Sequence, residues 1–271
     1  AYTFSGTDAN RRMKNNQDSY LIKEEDVSLE IKEYTFGVFD GHGLQGDLVS
    51  KGIKNFLLNS ESNQYTSKKS ILYLFTSLSK NMSSSKEFDV FGSGSTVVLV
   101  HIFQEKIVCA NCGDSRAILI NINNSIIKMS RDHKPNLADE KRRIINAGGR
   151  VDRICGMGPF RVWSKEGDYP GLAMSRSIGD SMAHKIGVSD IPEVMEFNIN
   201  NSKPLAIVIA SDGVWEFMNN EKVKGIILKY KYNHDAYNCS KEIVETSRQL
   251  WKGTSFAIDD ITCIVAFFDS N

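Results

Sequence analysis

The 271-residue sequence carries no net charge, since 33 Lys+Arg balance 33 Asp+Glu. A balanced chain has no general attraction for nucleic acid or for an anionic membrane surface. Any anionic substrate must therefore be held by a local site. Also missing is an apolar run long enough to span a bilayer. The longest, 204–210 and 261–268, have the length of buried strands. The first residues, Ala-Tyr-Thr-Phe, form neither a basic n-region nor an apolar h-region, so no secretory signal is visible. They also lack an initiator Met, as expected of a chain trimmed from something longer. No long Pro/Gly linker and no internal repeat interrupts the sequence, and one domain over residues 1–271 is expected.

Cysteine is scarce and odd in number: Cys109, Cys112, Cys155, Cys239 and Cys263. The C-x-x-C at 109–112 raises redox or zinc chemistry. The surrounding run 106–111 reads as a strand, however, where residues three apart face opposite ways. No second C-x-x-C or His pair completes a zinc site. Packed free thiols in a reducing compartment, cytoplasm or nucleus, fit these cysteines better.

What is present is a set of apolar runs with strand character: 35–39, 95–103, 106–111, 115–122, 125–130, 205–211 and 261–268. Asn123-Asn124 reads as a tight hairpin, because Asn tolerates left-handed backbone. Helical periodicity marks 47–58, a stripe of Ile71, Leu72, Phe75, Leu78 and Met82, and 223–230 and 238–251. Residues 136–147 read as a helix capped by Asn136 and stopped at Gly148-Gly149. Strands and helices come in blocks rather than in regular alternation. That order predicts an α+β fold with largely antiparallel sheets, not a doubly wound nucleotide-binding fold.

Acidic residues recur at the ends of the apolar strands. Residues 35–39 run into Asp40-Gly41-His42-Gly43, 107–111 lead through Cys112-Gly113 to Asp114, and 205–210 lead into Ser211-Asp212-Gly213. Asp259-Asp260 precede the last strand. If these strands share sheets, their ends bring several carboxylates to one edge. Clustered carboxylates repel one another unless cations neutralise them, and oxygen ligands without a Cys/His set favour Mg2+ or Mn2+ over zinc or copper. Singly, an Asp-Gly after a strand is an ordinary turn; the repetition argues for more.

The motifs Asn16-Gln-Asp18, Phe36-Gly-Val-Phe-Asp40-Gly-His42-Gly, Ser93-Gly-Ser-Thr, Ala110-Asn-Cys-Gly-Asp114-Ser-Arg, Asp132-His-Lys-Pro, Ala147-Gly-Gly, Met174-Ser-Arg-Ser-Ile-Gly-Asp180, Ala210-Ser-Asp212-Gly-Val-Trp-Glu and Asp259-Asp-Ile-Thr run in order through the chain. Together they resemble the type-2C, metal-dependent serine/threonine protein phosphatases. The resemblance implies a sandwich of two antiparallel sheets flanked by helices, with a two-metal site at one end, Mg2+ or Mn2+. By position it implies that Asp40 bridges both cations, that the Gly41 carbonyl binds one, and that Asp212 and Asp259 complete the other. Asp18 and Gln17 would act through metal-bound waters. Asp259 is preferred to Asp260 because the family's ligand stands three residues before a Ser or Thr, here Thr262. His42 would protonate the leaving serine or threonine oxygen; the alternative is a histidine that only orders a metal-bound water. His133 is expected to be structural, His101 core, and His184 and His234 exposed.

The chain departs from the family's pattern in places. Gln17 stands where many members have Glu, removing one negative charge near the cations. A weaker third cation is held in some relatives by acids matching Asp114, Asp212 and Glu216, the last replacing a more usual Asp. Asp180 reads as fixing a turn and is kept off the ligand set. Met13 stands where many relatives place a phosphate-gripping Arg, which leaves Lys14 as the expected main anchor and Arg12 as a secondary one. The segment 152–170 resembles the family's variable flap, or else is an ordinary long loop. The resemblance implies phosphoprotein substrates; the balanced charge and the lack of a long apolar run point to no nucleic acid and no membrane insertion, and a monomer is expected. The competing readings are a non-catalytic relative, a metal-binding regulatory module without turnover, and a hydrolase of small phosphate esters. The ligand set argues against the first, and the lack of an EF-hand-type loop against the second.

Overall fold

Phe36 and Val38 point one way along the Lys32–His42 strand and Phe39 the other, yet all three are buried. Both faces of this strand are therefore covered, which explains why its sequence is a continuous apolar run rather than an alternating one. On one face, Phe36, Val38, Val98 and Val100 meet Leu119, Ile207, Ile209 and Ile264 of a second sheet. On the other, Phe39, Val97 and Leu99 meet Val49, Ile53, Leu74 and Leu78 from the helices Gly46–Leu58 and Lys68–Ser83. The second sheet is covered in turn by the helices Asn220–Lys229 and Ala236–Thr254. The result is four layers, helix–sheet–sheet–helix, the α+β sandwich expected. The computed structural model describes residues 1–28 and 32–269.

The smaller sheet orders its five strands as Tyr2–Phe4, Ile261–Phe267, Pro204–Ala210, Arg116–Asn121 and Ile126–Lys128. The larger sheet runs from Asp18–Asp26 through Lys32–His42, Val97–Phe103 and Lys106–Cys112 to Glu193–Asn198. Short strands Gly94–Ser95 and Ile178–Gly179 extend it beside His42. Every paired strand is antiparallel. Cys109 and Cys112 fall in different core clusters, so the C-x-x-C is split between the two faces of its strand. The hairpin at Asn124 is present, with φ +63° at that residue.

The structure adds strands that periodicity does not reveal. Asp18–Asp26 and Glu193–Asn198 are edge strands rich in charge, each paired on one side only. Their polar face needs no burial, so the apolar signal is halved. The helix expected over 136–147 is shorter, Ala138–Asn146, and starts from Leu137 with no side-chain cap, so Asn136 does not cap it. Residues 149–172 form a separate three-stranded sheet, Gly149–Ile154, Met157–Ser164 and Pro170–Leu172. It packs Val162 against Ile144, Ala183 and Val188. His184 and His234 are half-buried rather than exposed. Among the described residues, no helix is long and apolar enough to cross a membrane.

Candidate metal centre

Asp18 opens one strand, and Asp40, near the end of the next, lies directly opposite it. Asp114 follows the end of a third strand of the same sheet. The smaller sheet delivers Asp212 just after Ala210, and Asp259 just before Ile261, on neighbouring strands where Ala210 pairs with Cys263. Short contacts lock these ends together. The Thr96 amide donates to the Asp40 carbonyl at 2.9 Å, and Thr96 Oγ1 accepts from the Asp40 amide at 3.1 Å. Ser211 Oγ donates to Asp18 Oδ2 at 2.8 Å and accepts from the Thr262 amide at 3.0 Å, which ties the two sheets across the site. Gly41 is compelled by space: a Cβ there would stand 2.2 Å from the Gly46 carbonyl oxygen and 2.6 Å from that of Gln17.

The carboxylates are close enough to disturb one another. Burial, and then the charges of Asp18, Asp212, Asp259 and Asp114, push Asp40 well above the usual carboxylate range. Burial and the neighbouring Asp114 and Asp259 do the same to Asp212. Asp18 is pushed up to about 7, chiefly by burial. Oδ1 of Asp18, of Asp114 and of Asp212 is buried without a hydrogen-bond partner. Buried anionic oxygens without donors are costly. An oxygen-rich, mutually repelling set of this kind fits hard divalent cations.

Asp259 and Asp260 divide their work. Asp260 accepts from the Gly6 amide at 2.6 Å through Oδ1 and from the Gln17 amide at 3.0 Å through Oδ2, and its side chain is 5 % exposed. Both its oxygens are occupied by backbone. Asp259 is 44 % exposed and accepts from Lys14 Nζ at 3.0 Å, so it is the acid of the pair still open to a ligand. Burial works against the Lys14 ammonium, but the Asp259 and Asp260 charges outweigh it and raise its pKa. Arg12 is exposed and, among the described residues, its side chain makes no ion pair with these acids. The Gln17 side chain donates to the Gly43 carbonyl at 2.7 Å, beside the site rather than free within it. Glu216 is exposed, one turn beyond Asp212.

Two partners were not legible from sequence. His42 Nε2 lies 2.6 Å from Asp180 Oδ2, which also accepts from Ser177 Oγ at 2.5 Å. Burial opposes a charge on His42, but the Asp180 carboxylate prevails and raises the imidazole's pKa. His42 Nδ1 is buried with no partner. Asp180 thus does more than fix a turn. Lys134 Nζ sits 2.6 Å from Asp114 Oδ2, placing an ammonium of the chain on the acid expected to serve a third cation. The only sequence signal for either was its place in a motif. His133, as expected, is structural: it is buried and its Nδ1 accepts from the Gly113 amide at 3.1 Å.

A profile described as Protein phosphatase 2C matches residues 2–250. The chain belongs to the protein phosphatase 2C family. Members are metal-dependent serine/threonine protein phosphatases, and this chain is such an enzyme. It is 34 % identical to the Arabidopsis thaliana "Probable protein phosphatase 2C 35" across 93 % of this chain and 78 % of that one. To the Oryza sativa "Probable protein phosphatase 2C 48" it is 28 % identical, covering 99 % and 84 %. In fold it is similar to the serine-threonine phosphatase 2C of Toxoplasma gondii, with a TM-score of 0.74 at 19 % identity over 93 % and 94 % of the chains. Staphylococcus aureus Stp1 superposes with a TM-score of 0.66 at 18 % identity over 99 % and 94 %. Asp259 lies beyond the span matched by the profile, so its place rests on the strand geometry above.

Proposed function

We propose that the chain hydrolyses phosphoserine and phosphothreonine esters in proteins at a centre of two divalent cations, Mg2+ or Mn2+. The observation that carries this reading is the convergence of Asp18, Asp40, Asp114, Asp212 and Asp259 from two sheets, with buried oxygens lacking donors. Asp40, the Gly41 carbonyl, Asp212 and Asp259 would hold the pair, with Asp18 and Gln17 acting through water. Asp114, Asp212 and Glu216 would hold a weaker third cation. When bound, the cations supply charge neutralisation and an acidified water for in-line attack on phosphorus.

The chain's own side chains do the remaining work. Lys14, at the rim beside Asp259, presents a mobile ammonium to the phosphate dianion. Arg12, on the exposed loop, is a secondary cation for the same anion. Asp180 would accept a hydrogen bond from His42 Nε2–H, which fixes the ring and favours the imidazolium, so that the second proton, on Nδ1, would pass to the departing serine or threonine oxygen. The segment near 152–170, with Ile154 and Met157 exposed on its hairpin, is assigned the role of a substrate-facing flap. A monomer in a reducing compartment, cytoplasm or nucleus, completes the proposal; four of the five cysteines are buried and all are free. The deciding test is phosphate release from a panel of phosphothreonine peptides. Release is expected with Mg2+ or Mn2+ and not in EDTA; equal release in EDTA would sink the reading.

A further inference from the structure

The strand wall that carries Lys14 and Asp259 has a second side. Thr7 pairs with both Met13 and Ile258, the residues immediately before Lys14 and Asp259. Alternation along extended backbone sends consecutive side chains to opposite faces. Met13 and Ile258 therefore leave the metal centre behind and border a groove of about 520 Å³. The far wall is the end of the Ala236–Thr254 helix, with Arg248 and Lys252, followed by Phe256; Arg11 stands at the rim.

The groove has a definite character. It is lined by three cations and by no carboxylate, in a molecule whose total charge is zero. Arg248 stacks 4.4 Å over the Phe4 ring and touches Glu245 with Nη1 at 3.2 Å, while its Nε is buried without a partner. Arg11 and Lys252 make no ion pair among the described residues. Asp8, the acid of this loop, accepts the amides of Asn10 and Arg12 through Oδ1 at 2.9 and 2.8 Å and makes no ion pair among the described residues. Beside these charges, Met13 is 64 % and Phe256 85 % exposed, large apolar side chains left in water at the groove's margin. Unpaired cations next to exposed apolar surface suit an anionic partner that also brings apolar groups.

We propose that this groove binds the acidic flank of the phosphoprotein substrate: a peptide segment carrying Asp or Glu with an apolar residue, a few positions from the phosphorylated one. The assignment rests on the phosphatase reading above. Consecutive Cα atoms lie about 3.8 Å apart, and an extended peptide covers roughly 3.3–3.6 Å per residue. Met13 and Ile258 of the groove directly precede Lys14 and Asp259, so an extended peptide anchored at Lys14 would carry acids a few positions away towards Arg11 and Lys252. Exposed charge pairs are individually weak, so selectivity arises from two or three acting together. The groove makes the enzyme prefer acidic sequence contexts without taking part in the chemistry.

The test uses phosphothreonine peptides of one core sequence, with Asp or Glu placed two to four residues before the phosphate, or after it, and matched Asn/Gln versions. In one of the two series the acidic peptide should be turned over with a kcat/KM higher on the order of tenfold. The double variant Arg11→Gln/Lys252→Gln should lose that preference while hydrolysing p-nitrophenyl phosphate as the native chain does. No preference in either series, or a preference that survives the double variant, overturns the groove. Absence of all turnover by the native chain would instead strike at the phosphatase reading. Binding is therefore also read by fluorescence anisotropy with an unphosphorylated acidic peptide, which should bind the double variant more weakly than the native chain. Equal binding to both, or an oligonucleotide of the same charge binding as well as the peptide, overturns the proposal.

Discussion

Among the described residues, two sets of carboxylates are resolved in opposite ways. Asp139, Glu140 and Glu193 lie close enough to one another to hold a metal ion. Yet Arg176 and Arg143 reach Glu140 at 2.6 and 2.7 Å, Ser175 donates to it at 2.5 Å, and Arg131 bridges Asp139 and Glu193 at 2.7 and 2.5 Å. Burial would raise the Glu140 pKa, but these donors hold it down at about 2. At the strand ends the balance is reversed: Asp18, Asp40 and Asp212 are pushed up, and three of the cluster's oxygens have no donor. Proximity of acids therefore does not make a metal centre. The strand-end set differs in that Asp18, Asp40 and Asp212 form no ion pair with a cation of the chain among the described residues, Lys14 and Lys134 reaching Asp259 and Asp114 instead, which leaves oxygens for an external ion.

The sharpest way to break this contrast is to remove an acid from each cluster. Asp40→Asn or Asp212→Asn should abolish Mg2+- or Mn2+-dependent turnover, while the metal-free melting temperature does not fall, since a repulsion is removed. A folded variant with near-native activity at saturating metal would refute the two-cation reading. His42→Gln should cost ~10²–10⁴ in rate on phosphothreonine peptides and much less on p-nitrophenyl phosphate, whose leaving group needs no proton. Equal losses on both substrates would mean that His42 positions rather than protonates.

Glu140→Gln should do the opposite of the aspartate substitutions: breaking a buried ion pair costs about 3–5 kcal/mol of stability, with the metal requirement of turnover unchanged. Thermal melts with and without metal separate the two behaviours. Because the folded Glu140 pKa is depressed from an ordinary 4.5 to about 2, its stabilisation is complete above the ordinary value. It is lost as pH falls through the folded one. The native and Glu140→Gln proteins should therefore converge in stability on acidification; a gap that persisted undiminished would count against the ion pairs as its source.

Smaller effects sharpen the picture at the rim. A charge-assisted hydrogen bond is worth roughly 1.5–3 kcal/mol, so Lys14→Met should lower kcat/KM by about ten- to a hundredfold. Arg12→Met should cost less, consistent with its exposure and with its lack of an ion pair among the described residues. If Arg12→Met proves the more damaging, the anchor moves to that residue. Least of all, Asp114→Ala should raise the metal concentration needed for full turnover without touching the tighter pair; an unchanged titration would leave Asp114 to Lys134 alone.

Much of this was legible in the residues. The apolar runs gave the central strands because both faces of each sheet are buried, and a doubly buried strand writes itself as an unbroken hydrophobic stretch. The edge strands Asp18–Asp26 and Glu193–Asn198 did not announce themselves, because half their side chains face water and carry charge. By its sequence the segment 152–170 reads as a flap or an ordinary long loop. It is part of a small sheet whose apolar contacts come from Ile144 and Val188, outside the segment itself.

The sequence by itself determined which acids end which strands, and so the fold class and the kind of chemistry, because strand patterning and ligand type are local properties. The tertiary structure decided which acids remain available. Asp260 is spent on the amides of Gly6 and Gln17, more than 240 residues away in the chain, and Asp259 is not. It decided that Lys14 rather than Arg12 meets the cluster, and that Asp180, 138 residues from His42, holds the imidazole. Hydrogen bonds and ion pairs of this range depend on distances of a few tenths of an ångström between groups that only the packed sheets bring together.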